Sequence, residues 1–139
     1  MRMTKRITVL ALLLVTVCLG VPVEAHHSFA MFDMTKTLVL NGTVTEFQWT
    51  NPHSWLQVKV PDGKGGADDW SIELGTVSGL RQAGWKPGTF QPGDKVTVTV
   101  HPLRDGKKGA SLVTVTLPNG TVLTSGRGPQ DPPESPQRN

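Results

Sequence analysis

Residues Trp70 to Val100, WSIELGTVSGLRQAGWKPGTFQPGDKVTVTV, read as a strand, a short helix and a second strand. Trp70, Ile72 and Leu74 alternate with Ser71 and Glu73, the period-two pattern of a half-buried strand. Thr76 to Ala83 follows as a helix, with Thr76 able to accept from the unpaired N–H groups at its start. Gly84 can end the helix in a left-handed conformation, which folds Trp85 back onto Leu80. Gly79 weakens the helix, so packing through Val77 and Leu80 must hold it. Pro87-Gly88 and Pro92-Gly93 suit type II turns. Val96, Val98 and Val100 then alternate with Thr97, Thr99 and His101 in the next strand.

Outward from this stretch, short strands continue on both sides. Leu38 to Trp49 is a long first strand with a bulge or bend at Asn41-Gly42. Thr50-Asn51-Pro52-His53 is a turn, because Asn-Pro favours turn initiation. Leu56, Val58 and Val60 mark a second strand, and Pro61 to Asp69 a loop. Setting Leu56 against Leu74, Val58 against Ile72 and Val60 against Trp70 places the apolar residues of this hairpin inside. Downstream, Asp105 to Gly109 is a loop, and Val113, Val115 and Leu117 mark a fifth strand. Pro118-Asn119-Gly120 turns the chain into a short last strand at Thr121 to Leu123. Three strands, one helix and two further strands give the order of an OB-like barrel. The expected fold is all-β with one short helix: a small OB-like β-barrel of five to six strands over residues 38–124. A small sandwich of other topology is the rival arrangement.

The two ends differ from this middle. Arg2, Lys5 and Arg6 precede an apolar run from Ile7 to Val21, and Val23 and Ala25 are small residues before a cut. Residues 1–25 therefore read as a signal peptide, which sends the protein to the periplasm and leaves no membrane insertion after cleavage. The single cysteine, Cys18, lies in that leader, so the mature chain has neither disulfide nor thiolate chemistry. Removing the leader leaves 11 basic and 10 acidic residues, a balance that offers nucleic acid no electrostatic footprint. Residues 26–37 form an N-terminal arm. Residues 125–139 carry no apolar side chain and four prolines, the composition of a disordered tail.

The motifs His26-His27-Ser28-Phe29-Ala30 with Phe32-Asp33, Gly42-Thr43-Val44 and Trp49-Thr50-Asn51-Pro52-His53 resemble those of a family of small exported bacterial proteins of unknown function. Trp70 with Glu73, Leu80 with Gly84-Trp85, Pro92-Gly93-Asp94 and Leu117-Pro118-Asn119-Gly120 continue the resemblance in order, over about residues 26 to 124. The resemblance implies export and a small β-barrel, and it implies no activity. His26, His27 and His53 fall on its motif positions, whereas His101 does not.

Cleavage after Ala25 would make His26 the first residue, with a free amine and an imidazole, and a second imidazole at His27. Nitrogen donors of this kind suit Cu(II) best and zinc next; the thioethers of Met31 and Met34 suit Cu(I). The plain alternative is a cleavage remnant on a floppy arm, with Met31, Phe29 and Phe32 packing on the barrel. His53 and His101 enter the two loops that flank the ligand face of OB folds, which places them at one barrel end. The plain readings are a turn residue bonding its own backbone and an outward strand end. To join His53, the arm must run back along the barrel, and twelve extended residues span up to ~40 Å.

Glu73, set opposite Gln57, would stand roughly 13 Å from His53, too far for an acid–base pair. Trp55, Gln57 and Glu73 share an outer face able to stack a sugar or peptide, or simply to pack under the arm. Asp68-Asp69 and Lys107-Lys108 read as solvated loop charges. No G-x-S-x-G, P-loop or Ser-His-Asp set is present, so an enzyme is not expected. Two functions remain. One is a periplasmic binding or accessory protein that holds copper or zinc through His26, His27, His53, Met31, Met34 and His101. The other is a metal-free module that binds an envelope protein, a glycan or a small ligand through Trp55, Gln57 and Glu73.

Overall fold

The computed structural model describes residues 29–127. The leader and the histidine pair His26-His27 lie outside these residues. Six strands and one α-helix follow one another: β1 (Leu38–Gln48), β2 (Trp55–Pro61), β3 (Ala67–Glu73), α1 (Val77–Gln82), β4 (Lys95–Pro102), β5 (Gly109–Thr116) and β6 (Val122–Thr124). The sheet order is β3-β2-β1-β4-β5-β6, and a parallel pairing of β3 with β5 closes the first five strands into a barrel. This is the OB arrangement expected from the order of elements. Its long first strand serves two neighbours: Leu38 to Thr43 pair with β4, and Thr43 to Gln48 pair with β2.

Gly42 stands near the changeover between the two partners. A Cβ there would collide with the Val58 side chain and come within 2.8 Å of the Lys59 carbonyl. The residue thus permits a close backbone approach. The irregularity in β1 falls instead between Val44 and Glu46.

Inside the barrel, Val44, Leu56, Val58, Ile72, Val98, Val100 and Val115 are essentially buried. Burial of one such side chain contributes roughly 1.5–3 kcal/mol. Helix α1 buries Leu80 in the core. Thr76 accepts from the Gly79 N–H, Gly84 N–H donates to the Arg81 carbonyl, and Trp85 N–H donates to the Leu80 carbonyl. Gly84 has φ +89°, so the helix ends in the left-handed turn its sequence predicts. Trp85, Phe90 and Phe47 pack mutually beside it at centroid distances of 5.4–5.9 Å.

Three expectations need correction. First, the β2–β3 register is Leu56 against Ile72, Val58 against Trp70 and Trp55 against Glu73, two residues from the predicted pairing. The turn decides this: Asp62 accepts from the Lys64 and Gly66 N–H groups and closes the hairpin early, so Pro61 already pairs with Ala67. A shift of two keeps every side chain on its face, so the core set survives. Second, Asp68 and Asp69 belong to β3, where Asp69 pairs with Lys59 at 2.6 Å and Asp68 with Lys108 at 2.8 Å. Third, the β4–β5 register slips between Thr99 and Val100, so Leu112 turns inward while Val113 is only half-buried.

The C-terminal boundary also extends beyond Thr124. Ser125 N–H donates to the Val113 carbonyl in the slipped stretch of β5, and Gly75 N–H donates to the Ser125 carbonyl. Gly126 (φ +69°) lies against Leu80. These three bonds and contacts carry the chain as far as Arg127; the rest of the tail lies outside the described residues.

Candidate functional site

The arm runs antiparallel to the end of β4 and the residues that follow it, in the same sense as β1, so it does not run back along the barrel as expected. Its 3-10 turn, Phe29–Met31, leads into Phe32, which forms a bridge with Leu103 and is buried. Arg104 N–H donates to the Met31 carbonyl, Arg104 Nε–H to the Ala30 carbonyl, and Asp33 N–H to the Pro102 carbonyl. Asp33 is the staple of this segment. Its carboxylate accepts from the Thr35 hydroxyl at 2.6 Å and faces Lys36 Nζ at 3.2 Å. Those two bonds, led by Thr35, hold the Asp33 carboxyl down at about 2.

This course brings Met31 to His53. Met31, Thr50, Asn51, Pro52, His53, Trp55 and Glu73 line one hollow of about 330 Å³. The β1–β2 loop shapes its rim. Ser54 is fully buried, its hydroxyl bonds the Thr50 carbonyl, and its N–H donates to the Gly75 carbonyl. Asn51 Oδ1 accepts from the Val77 N–H, which ties the loop to the start of α1. Trp55 stands directly opposite Glu73 across the strands.

His53 Nδ1 lies 3.2 Å from Glu73 Oε1 and 3.3 Å from the Leu74 carbonyl. The expected separation of His53 and Glu73 is therefore wrong, and the register shift is the reason. With Trp55 rather than Gln57 opposite Glu73, the carboxylate sits beside the β1–β2 loop. Glu73 Oε1 and the Leu74 carbonyl are acceptors, so a neutral ring bonded to them carries its proton on Nδ1 and its lone pair on Nε2. This is the arrangement in which a carboxylate fixes the tautomer and orientation of a ligating imidazole.

Glu73 is not the outward residue that its strand position implied. Its side chain is 9% exposed and makes a 2.7 Å ion pair with Arg127, also 9% exposed. Arg127 donates in addition to Ser111 Oγ at 2.8 Å and the Leu74 carbonyl at 3.1 Å. Burial pushes the guanidinium below its ordinary value, and Glu73 opposes that shift. Composition alone hid Arg127, because a polar tail has no periodicity to read. The available signals were Gly75, Gly79 and Gly126, three residues whose missing side chains leave room for the tail to cross.

The remaining candidates lie apart from His53. His101 and Met34 line a second hollow with Ser111, Leu112, Val113 and Ser125. His101 Nδ1–H donates to the Lys36 carbonyl at 2.8 Å, so its neutral ring also carries the lone pair on Nε2. The two imidazoles thus do not share one site as expected. Arg127, which bonds Ser111 in one wall and Glu73 in the other, stands between their hollows. Gln57 lies two residues along β2 from Trp55, opposite Ser71. A further hollow of about 450 Å³, at Asn41, Gly42, Lys95 and Thr116, holds none of the predicted site residues.

Among the described residues, no group of three or more His, Cys, Asp or Glu side chains could hold a metal ion. Among them, too, no helix is long and apolar enough to cross a membrane. The sequence signature described as "Family of unknown function (DUF6152)" matches residues 14–112. No curated protein and no solved structure matches the chain.

Proposed function

The chain belongs to DUF6152, a family of unknown function, and from that premise we propose that it is an exported binding or accessory protein that holds a soft metal ion, copper first and zinc second, at the hollow beside His53. One observation carries this reading. The arm delivers the Met31 thioether to the same hollow as an imidazole whose Nδ1 is braced by Glu73 and the Leu74 carbonyl. His53 Nε2 and Met31 Sδ supply one borderline and one soft donor, a pair that suits copper in both oxidation states.

Two ligands do not complete a site. The sequence supplies the others: His27 and His26 precede Met31 by four and five residues, a stretch of at most ~18 Å. Processing after Ala25 would add the terminal amine and two more nitrogens, which favour Cu(II). The leader, read from sequence, sets the periplasm as the place of action. The chain holds or hands over an ion and performs no reaction on a substrate.

Trp55 also lines the hollow, so bound Cu(II) should quench its emission. Titration of the chain beginning at His26 tests the proposal. Micromolar or tighter Cu(II) binding is expected, weakened by tenfold or more in His53→Ala and in a form carrying one extra residue before His26. Unchanged affinity in both overturns it. A metal-free role is the second reading, favoured by the apolar faces of Trp55 and Pro52 in the same hollow. It predicts ligand or partner binding that survives chelation and is lost in Trp55→Ala.

A further inference from the structure

The end of β6 and the residues beyond it make contacts out of keeping with a solvated end. Trp85 Nε1–H donates to the Thr124 carbonyl at 2.8 Å, and Ser125 is buried between β5 and Gly75. The next residues then cross helix α1 where side chains are missing. A Cβ on Gly79 would collide with the Gly126 carbonyl, and one on Gly75 would come within 2.9 Å of the Ser125 and Gly126 carbonyls. Gly126 itself has φ +69° and would place a Cβ 2.7 Å from Leu80 atoms. Glycines at all three points of the crossing leave a track that only this course of the chain uses. The track ends at Arg127, whose guanidinium enters the barrel wall and donates to Ser111, Glu73 and Leu74.

We infer that residues Ser125 to Arg127 form a latch, and that Arg127 is a positioning residue: by fixing the Glu73 carboxylate, it holds the His53 ring in the orientation and tautomer that set Nδ1–H on Glu73. The inference rests on the metal-binding reading for its purpose, but not for its geometry. Glu73 Oε1 is shared, 2.7 Å from Arg127 and 3.2 Å from His53. A buried carboxylate that loses its cation is strongly disfavoured where it stands. Glu73 also lines the open hollow, so without Arg127 it swings into the water there. His53 then loses the contact that fixes its Nδ1 most closely, while the Leu74 carbonyl stays 3.3 Å away. In effect the C-terminal segment sets the geometry of a site built on the opposite end of the sequence.

The test uses the whole chain from His26, isotope-labelled and metal-free. Long-range proton–nitrogen NMR correlations report which nitrogen of His53 carries the proton. The native chain should show one tautomer, Nδ1–H. Arg127→Met should show a mixture with broadened ring signals. Arg127→Lys, which keeps the charge and a donor for Glu73, should recover most of the Nδ1–H form. If Arg127→Met fails to fold, Arg127→Gln against Arg127→Lys makes the same comparison, with Gln giving the mixture. A single Nδ1–H tautomer in every folded variant overturns the inference. Cu(II) titration then separates the two ideas. About tenfold weaker binding in Arg127→Met supports both. Native copper binding with an altered tautomer would mean that the latch positions His53 without serving the metal, and overturns the role assigned to it.

Discussion

Replacing Gly79 by alanine should destabilise this protein, although the same change in an ordinary helix stabilises it by about 1 kcal/mol. Gly79 sits in the first turn of α1, and its N–H donates to Thr76 Oγ1 at 3.1 Å. A Cβ there would collide with the Gly126 carbonyl, and a neighbouring backbone cannot yield as a flexible side chain does. The latch must therefore lift. Lifting breaks the buried Arg127–Glu73 pair, a loss of about 3–5 kcal/mol where one partner is withdrawn. It also breaks the bonds of Ser125 with Gly75 and Val113, each contributing about 1 kcal/mol. Water reaching the released carboxylate returns part of that loss, and the better helix former returns about 1 kcal/mol. A net destabilisation of about 2–4 kcal/mol remains. Urea denaturation followed by tryptophan emission measures it. The decisive control is a chain ending at Thr124, in which there is no Gly126 to strike. In that background Gly79→Ala should be stabilising by about 0.5–1 kcal/mol. The same sign in both backgrounds would refute the reasoning.

Other consequences concern the barrel and the arm. Gly42→Ala should cost about 1–3 kcal/mol by overpacking, read in the same denaturation assay, because its Cβ would meet the Val58 side chain and the Lys59 carbonyl. Asp33 titrates below its ordinary value, so it binds fewer protons folded than unfolded and its contribution is present above about pH 4. That contribution should vanish as pH falls through about 2, releasing the amides of Thr35 and Arg104 in NMR spectra, and Asp33→Asn should remove the dependence. Lys59→Ala, which breaks an exposed pair with Asp69, should change the unfolding free energy by no more than about 1 kcal/mol.

The barrel was legible because its local signals agree. Alternation marked the strands, Thr76 and Gly84 bounded the helix, and their order left few topologies. The β2–β3 register was not legible, since a period of two cannot distinguish a pairing from one displaced by two residues. Only the turn at Asp62 could, by bonds that hydropathy does not register. That small slip hid the His53–Glu73 contact, because it moved Trp55 opposite Glu73. Arg127 was hidden differently, being 54 residues from Glu73 in a segment with no apolar side chain. The same sequence did hold a clue in Gly79, a poor helix former in a six-residue helix. Its reason is the carbonyl that crosses it. Likewise Asp33, Thr35 and Lys36 form a local staple at the turn between the arm and β1, and no hydrophobic pattern announces it.

The most direct test of the metal proposal is electron paramagnetic resonance of one equivalent of Cu(II) on the chain that starts at His26. The account predicts a single bound species with nitrogen hyperfine structure that loses one imidazole in His53→Ala. A spectrum of free Cu(II), or one indifferent to His53, would contradict it.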